Sequence, residues 1–517
     1  MTVLKNVHDK LYGFSKVVGF IMILSFNACS NASKPIPDNN NNNNRYNILL
    51  LVADDLGYSD LGCYGGEIKT PNIDELATNG IRFSQFHTAP MCSPTRAMLL
   101  TGNDNHIAGV GRQNLNTDEF GYEGHLTNRV VPIPLLLQKS GYHTYMAGKW
   151  HLGNSPEHNP VHNGFERSFV LLEGVGNHFS GRGIFKHPGQ SNYTEDGKIT
   201  SWEEGAYSTD FYTDKLIDFI NQNKGDGKPF FAYAAYTSPH WPLQVSEAYS
   251  NKYKGDYDEG YEKLRDERLQ SLIEKGLVPE KTILAPLNNT VVPWNDLTAE
   301  EKRKSSRKME LYAGMVDNLD HNIGRLINYL KDIGEYENTL IIFMSDNGAA
   351  GEDYFNNPNI NSHISDDYVD DFEVMGKTNS LVSYGVPWAE ACTSPFRDFK
   401  EFASNGGILA PMIISGSMIN RTNEIHHDFS TVMDIAPTPV IILTAKIDEV
   451  DRLIGLDSGA VDYVCKPYSA KEVVARVKIQ LRISGRSIGQ GPLTTNQILV
   501  KPDEHIACFG GKTLELT

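Results

Sequence analysis

The sequence predicts an α/β fold in which a large, mostly parallel central sheet is flanked by helices. Three observations carry this expectation: apolar runs without alternation, polar or charged side chains at the carboxyl ends of those runs, and helical periodicity between them. Strands of a parallel sheet are buried on both faces, so they read as continuous apolar segments. "YNILLLVADD" is the first, and it delivers Asp54 and Asp55 at its end. "GYHTYMAGKWH" is a second, ending on Lys149 and His151, and "KPFFAYAAYTSPH" a third, ending on His240. Met309, Tyr312, Val316, Leu319, Ile323, Leu326 and Leu330 then recur at helical spacing, and no polar chemistry interrupts the stripe, so its role is packing on the sheet. "TLIIFMSDNG" repeats the first design and delivers Asp346 and Asn347. Strands alternating with helical stretches imply an α/β sandwich.

At 517 residues and 40% hydrophobic content, the chain is long enough for one large domain plus smaller pieces. Its formal charge of -17, from 47 basic and 64 acidic residues, argues against a nucleic-acid binder, which needs a basic face to release counterions. An anionic substrate must therefore meet a local positive pocket. Residues 1–28 read as a signal peptide: Lys5, Lys10 and Lys16 precede "VVGFIMILSF", which is too short to span a bilayer. "SFNACSN" resembles a bacterial lipobox with Cys29 as the acylated residue, although Phe26 stands where leucine is usual and plain signal cleavage is the alternative. Residues 29–44 form an Asn-rich tether. The expected location is the periplasm or the outer-membrane or cell surface of a bacterium, with membrane contact through the lipid anchor only. The six cysteines show no metal-type CxxC spacing, and Cys63 and Cys392 read either as buried small hydrophobes or as one bridge.

Asp54, Asp55, Asp346 and Asn347 supply only oxygen ligands, which favours calcium, or magnesium, over zinc. Either pair alone reads as a turn cap; two pairs at the ends of separate apolar strands point to a metal. Arg96, Lys149, His151, His240 and Lys400 form a second set, suited to gripping a small oxyanion, with histidine adding acid–base capacity. Lys149 and His151 lie two apart on a stretch read as extended, so both can face one side. Lys400, in "SPFRDFKEF", reads equally well as a solvated loop lysine.

"CSPTRAMLLTG" is similar to the C-x-[PS]-x-R signature of type I sulfatases. "ADDLGYSDLGCYG", "AGKWHLG", "SPHWPLQ", "FMSDNG" and "SPFRDFK" resemble the companion segments in family order, from about Tyr46 to Thr438. "GVPWAEACTSPFRDFKEF" is most like the large arylsulfatase branch. The resemblance implies an alkaline-phosphatase-like sandwich over residues 45–438 and one calcium held by Asp54, Asp55, Asp346 and Asn347. It also implies that a formylglycine-generating maturation enzyme oxidises Cys92 to Cα-formylglycine (3-oxoalanine), whose hydrated aldehyde is the nucleophile. By the same resemblance, Asp346 and the metal would activate one hydroxyl, and Arg96, Lys149 and Lys400 would neutralise the sulfate oxygens. His240, helped by Lys400, would protonate the leaving alcohol or phenol, and His151 would be the base that regenerates the aldehyde. The expected substrate is a sulfate ester of a small molecule or glycan. Phosphonate or phosphodiester hydrolysis is the alternative within the superfamily.

Two features depart from the family pattern. Asn405 stands in "SNGGI" where an acidic residue is common, and after "TVMDIAPT" the usual carboxyl-terminal subdomain is replaced. Residues 439–483 resemble the end of a response-regulator receiver domain, from its fourth strand to its last helix. Thr444 and Lys466 match that family's switch threonine and lysine, and Ser469 with Glu472 forms a capping box. The phosphoacceptor segment is missing, so phosphorelay chemistry has no acceptor. Residues 484–517 resemble a linker and the opening strands of a winged-helix effector domain, which stop before any recognition helix; no nucleic-acid binding is expected. A receiver belongs in the cytoplasm and a signal-bearing enzyme outside it. The junction near Thr438 therefore reads as an accidental fusion, through genomic rearrangement or sequence assembly, with a two-domain protein as the alternative; a catalytically inactive fusion product is the competing reading of function.

Overall fold

A computed structural model describes residues 45–436 except 420, together with six short strands between 441 and 515. A ten-stranded sheet runs through the first part. At its centre β1 (Asn47–Ala53) lies between β8 (Phe230–Ala235) and β9 (Thr339–Ser345), parallel to both, and β4 (His143–Lys149) is parallel to β8. Beyond β4, β5 (Arg167–Leu171) continues in parallel, and β6 (Tyr193–Glu195) and β7 (Lys198–Thr200) finish that side in antiparallel pairing. On the other side β10 (Met412–Ser415) runs antiparallel to β9 and to β2 (Gly80–Phe83), and β11 (Glu424–His426) closes the edge. A separate parallel ribbon joins β3 (Phe86–His87) to β12 (Ser430–Thr431). All four strands expected from apolar runs are present.

The absence of alternation in "NILLLVA" has a direct structural cause. Leu49, Leu51 and Ala53 point into one core and Ile48, Leu50 and Val52 into the other, so every residue of β1 is buried. The larger core is covered by α1 (Pro71–Thr78), α3 (Ser208–Gln222), α4 (Tyr261–Glu274), α5 (Ala299–Asp332) and α6 (Gly385–Cys392). α2 (Cys92–Thr101) packs Ala97, Leu99 and Leu100 into the smaller core on the opposite face. The apolar stripe of α5 is wholly buried, and a Thr298–Glu301 capping box starts this 34-residue helix.

Cys63 and Cys392 are both buried and free, so the bridge is not formed. Among the described helices none is long and apolar enough to cross a membrane. After residue 436, β13 (Ile441–Thr444) pairs in parallel with β14 (Asp462–Cys465). β15 (Leu493–Thr495), β16 (Ile498–Lys501), β17 (Ile506–Phe509) and β18 (Lys512–Glu515) form an antiparallel sheet. Thr444 ends β13. Lys466, the signal segment, Cys29 and the tether lie outside the described residues.

Candidate active site

Because β1, β4, β8 and β9 are parallel, their carboxyl ends meet at one edge of the sheet. Backbone bonds tie the exits together: Asp54 N donates to Ser238 O at 3.1 Å and Asp346 N to Ala53 O at 3.2 Å. Cys92 arrives from below as the first residue of α2, a helix buried along all ten residues. Its Sγ lies 3.4 Å from Asp54 Oδ1 and 3.6 Å from Asp55 Oδ1.

The cationic and carboxylate sets, expected to divide between substrate and metal, contact each other. Lys149 Nζ donates to both oxygens of Asp54 at 2.8 Å. Arg96 donates from Nε to Asp346 Oδ2 at 2.9 Å and from Nη1 to Lys149 O at 3.1 Å. Its Nη2 stands 2.7 Å from the same Asp346 oxygen. Lys400 Nζ donates to Asp55 Oδ2 at 2.9 Å, so this lysine is buried in the site and not solvated. The physical reason is charge compensation: buried charges persist only when paired and hydrogen-bonded.

Two histidines complete the cluster. His240 Nε2 is 3.3 Å from Asp55 Oδ2 and 3.4 Å from Lys400 Nζ, and its Nδ1 donates to Trp241 O at 2.6 Å. His151 approaches differently from the expectation. Its φ of 54° is left-handed, so the chain turns there instead of continuing extended from Lys149. The turn sets Nε2 3.4 Å from Asn114 Oδ1 and leaves the buried Nδ1 without a hydrogen-bond partner.

Burial dominates the electrostatics. It pushes the Cys92 thiol well above its ordinary range, with Asp346 adding to the effect, so the thiol stays protonated and is a poor nucleophile. Burial raises Asp54, reinforced by Asp346 and Asp55 and opposed by Lys149 and Arg96. Burial would also raise Asp55, but Lys400, His240 and Lys149 outweigh it and hold that carboxylate below its usual range. Burial and neighbouring cations keep His151 neutral, and burial outweighs Asp55 in keeping His240 neutral. Burial opposes the charge on Lys400, yet Asp55, Cys92 and Glu352 more than offset it. In the His240–Lys400 pair the proton therefore resides on the lysine.

The donor set fits a hard divalent cation. Asn347 directs Nδ2 to Asp55 Oδ1 at 2.7 Å, while its buried Oδ1 has no hydrogen-bond partner. Together with the carboxylates of Asp54, Asp55 and Asp346 this is an all-oxygen group suited to calcium or magnesium. Asp54, Asp55, Cys92 and His240 also place one ligand atom each within 4.8 Å of one another.

Several contributors escaped the sequence reading. Glu352, in the loop after β9, sets Oε1 3.0 Å from Lys400 Nζ; the acidic pair Glu352–Asp353 so soon after "SDNG" was the available signal. Buried Asp60 accepts from Gly57 N at 2.7 Å, Tyr312 Oη at 2.6 Å and Arg268 Nη1 at 2.6 Å, bracing the loop that follows Asp55. A cleft of about 590 Å³ opens beside the cluster, lined by Ser93, Asn114, His125, His151, Asn154 and His158 among others. His125 and His158 stack at 3.6 Å, an approach Gly153 permits, because a Cβ there would lie 2.6 Å from that of His158.

The sulfatase family profile matches residues 46–443. The chain is 44% identical over 432 residues to an uncharacterized sulfatase of Schizosaccharomyces pombe, covering 80% of this chain and 76% of that protein. It is 36% identical over 404 residues to an arylsulfatase of Klebsiella aerogenes, covering 76% and 85%. The crystal structure of Ps i-CgsB superposes with a TM-score of 0.53 at 26% identity, over 76% of this chain and 70% of that one. A putative sulfatase of Bacteroides fragilis shares the alkaline-phosphatase-like fold at a TM-score of 0.52 and 18% identity, over 94% and 90%. The chain belongs to the sulfatase family and is a sulfuric ester hydrolase.

Proposed function

We propose that Cys92 is oxidised to formylglycine and that the site then hydrolyses sulfate esters with one calcium held by Asp54, Asp55, Asp346 and Asn347. The observation that carries this reading is the state of Cys92: fully buried, protonated as a thiol, yet in contact with two carboxylates and within a cluster of three cations. A thiol so placed is inert; an aldehyde hydrate at the same position would supply a hydroxyl nucleophile, and the cation would polarise sulfate oxygens. Arg96, Lys149 and Lys400 bind the sulfate group and compensate its developing charge. Lys400 and His240 hold the proton for the leaving oxygen. His151, neutral and with Nδ1 free of partners, accepts the proton whose removal regenerates the aldehyde.

The cleft beside His151 receives the leaving group. Its volume is in the usual range for ligand pockets, about 300–1,000 Å³. Its lining of Asn, Ser and His side chains supports a polyhydroxylated leaving group such as a sugar. The 29% identity to human N-acetylgalactosamine-6-sulfatase and the reported complex of Ps i-CgsB with a neocarrahexaose are consistent with this. The decisive experiment is co-expression with a maturation enzyme. Mass spectrometry of the Cys92 peptide should show the aldehyde, and turnover of 4-nitrophenyl sulfate should exceed that of a phosphodiester and vanish in Cys92→Ala. Faster phosphodiester turnover would favour the superfamily alternative; aldehyde formation without turnover of either would favour the inactive fusion.

The remaining proposals concern the two ends. Residues 439–517 are proposed to be a response-regulator remnant. The parallel register of β13 and β14 supports this, because the fourth and fifth receiver strands pair that way, as does the antiparallel β15–β18 sheet after them. A lipid anchor at Cys29 and a periplasmic or surface location rest on residues 1–44 alone. Sequencing reads that cross the codons around Thr438 unbroken would remove an assembly artefact as the origin of the junction.

A further inference from the structure

The buried charges around Cys92 nearly cancel. Asp54, Asp55 and Asp346 face Arg96, Lys149 and Lys400, three against three. Glu352 is the exception. Its side chain is 8% exposed, Oε1 lies 3.0 Å from Lys400 Nζ, and Oε2 is buried with no hydrogen-bond partner. Lys400 is itself shared with Asp55 Oδ2 at 2.9 Å and His240 Nε2 at 3.4 Å, so it cannot neutralise Glu352 alone. Glu352 thus adds one negative charge beyond the three ion-paired acids, a single lysine away from the sulfate grip.

We propose that Glu352 is a specificity-determining residue that selects singly charged over doubly charged substrates, admitting a sulfate monoester and disfavouring a phosphate monoester. The two esters have similar tetrahedral head groups, and above the second phosphate pKa of about 6 they differ by one unit of charge. Every extra negative charge on the ligand meets the field of Glu352 among buried side chains. At an effective dielectric of about 20 and a separation of several ångströms, that difference is on the order of tenfold to a hundredfold in relative affinity. The orphaned Oε2 matters because no donor disperses its share of the charge. This inference rests on the reading that the ester sits among Arg96, Lys149 and Lys400.

The test compares wild type, Glu352→Gln and Glu352→Asp. The first readout is the ratio of kcat/KM for 4-nitrophenyl phosphate to that for 4-nitrophenyl sulfate at pH 8. The second needs no turnover: calorimetric affinities of sulfate (doubly charged) and sulfamate (singly charged) for the protein with Cys92 unconverted. Glu352→Gln should raise both dianion-to-monoanion ratios tenfold or more, and Glu352→Asp, which keeps the charge, should leave them within about twofold. Unchanged ratios in Glu352→Gln, or equal shifts in both variants, would overturn the proposal. If Glu352→Gln does not fold, Glu352→Ser carries the same comparison. Turnover of neither ester by the wild-type chain would count against the sulfatase chemistry and not against Glu352, whose role the binding ratio still decides.

Discussion

Gly174→Ala is a narrow perturbation of the proposed base. A Cβ at position 174 would lie 2.3 Å from His151 Cε1, 2.6 Å from Nε2 and 2.8 Å from Nδ1. Ordinary carbon contacts fall near 3.5–4.0 Å, so the imidazole must retreat by about 1 Å. Gly174 is not among the described glycines with positive φ, so alanine fits the backbone and the contact is the whole perturbation. The ring can retreat into the 590 Å³ cleft it lines, which holds the stability cost to about 1–3 kcal/mol. A misplacement of about 1 Å of a catalytic group costs roughly 100-fold. Expected, then, is a fall in kcat of about 100-fold on 4-nitrophenyl sulfate with a melting temperature lowered by only a few degrees. Adding His151→Ala should cause little further loss, because both changes disable one group. A folded Gly174→Ala enzyme retaining kcat within threefold, or additive losses in the double variant, would refute the assignment of His151.

Removal of divalent cations by a chelator should abolish turnover and lower the melting temperature, with calcium restoring both; at 100 times its Kd a bound ion stabilises by about 2.7 kcal/mol, and Asn347→Ala should blunt the calcium-dependent rise. Arg268→Met removes the partner of buried Asp60 at 2.6 Å and the paired bonds to Glu67 at 2.9 and 3.0 Å. It should cost about 3–5 kcal/mol, read as a lower urea midpoint at unchanged slope, and Asp60→Asn in the same chain should recover part of it. His178 is fully buried between Ser208 Oγ at 2.6 Å and His240 O at 3.0 Å, and burial lowers its pKa to about 4. The unfolded chain binds a proton near pH 6.5 that the fold refuses, so its stabilisation is present above pH 6.5 and is lost as pH falls toward 4. The loss is at most roughly 3 kcal/mol and should be absent in His178→Asn, as unfolding titrations across that window would show.

The strand ends were legible because burial on both faces removes alternation, and the first polar residues after each apolar run are therefore those at the sheet edge. Asp54, Asp55, Lys149, Asp346 and Asn347 all follow from that single constraint. His151 lies beside the cluster but reaches it by a left-handed turn that two-residue alternation could not foresee. Arg268 and Asp60, 208 positions apart, met only through the packing of α4 against the loop after β1, and no local pattern encodes such a contact. Glu352 was hidden for a related reason: a carboxylate in a polar loop reads as solvated until the fold closes over it.

These hidden residues share a property that bears on function. Each braces a motif residue or the backbone next to it: Asp60 fixes the backbone beyond Asp55, His178 holds the carbonyl of His240, and Glu352 competes for the charge of Lys400. On the proposed function, the motif residues carry the reaction of the cluster. The supporting charges determine how strongly the cluster attracts an anion of a given valence, because in a dry site one unit of charge outweighs any single hydrogen bond. Substrate preference among tetrahedral esters is therefore expected to change through residues such as Glu352 while the signature around Cys92 stays constant.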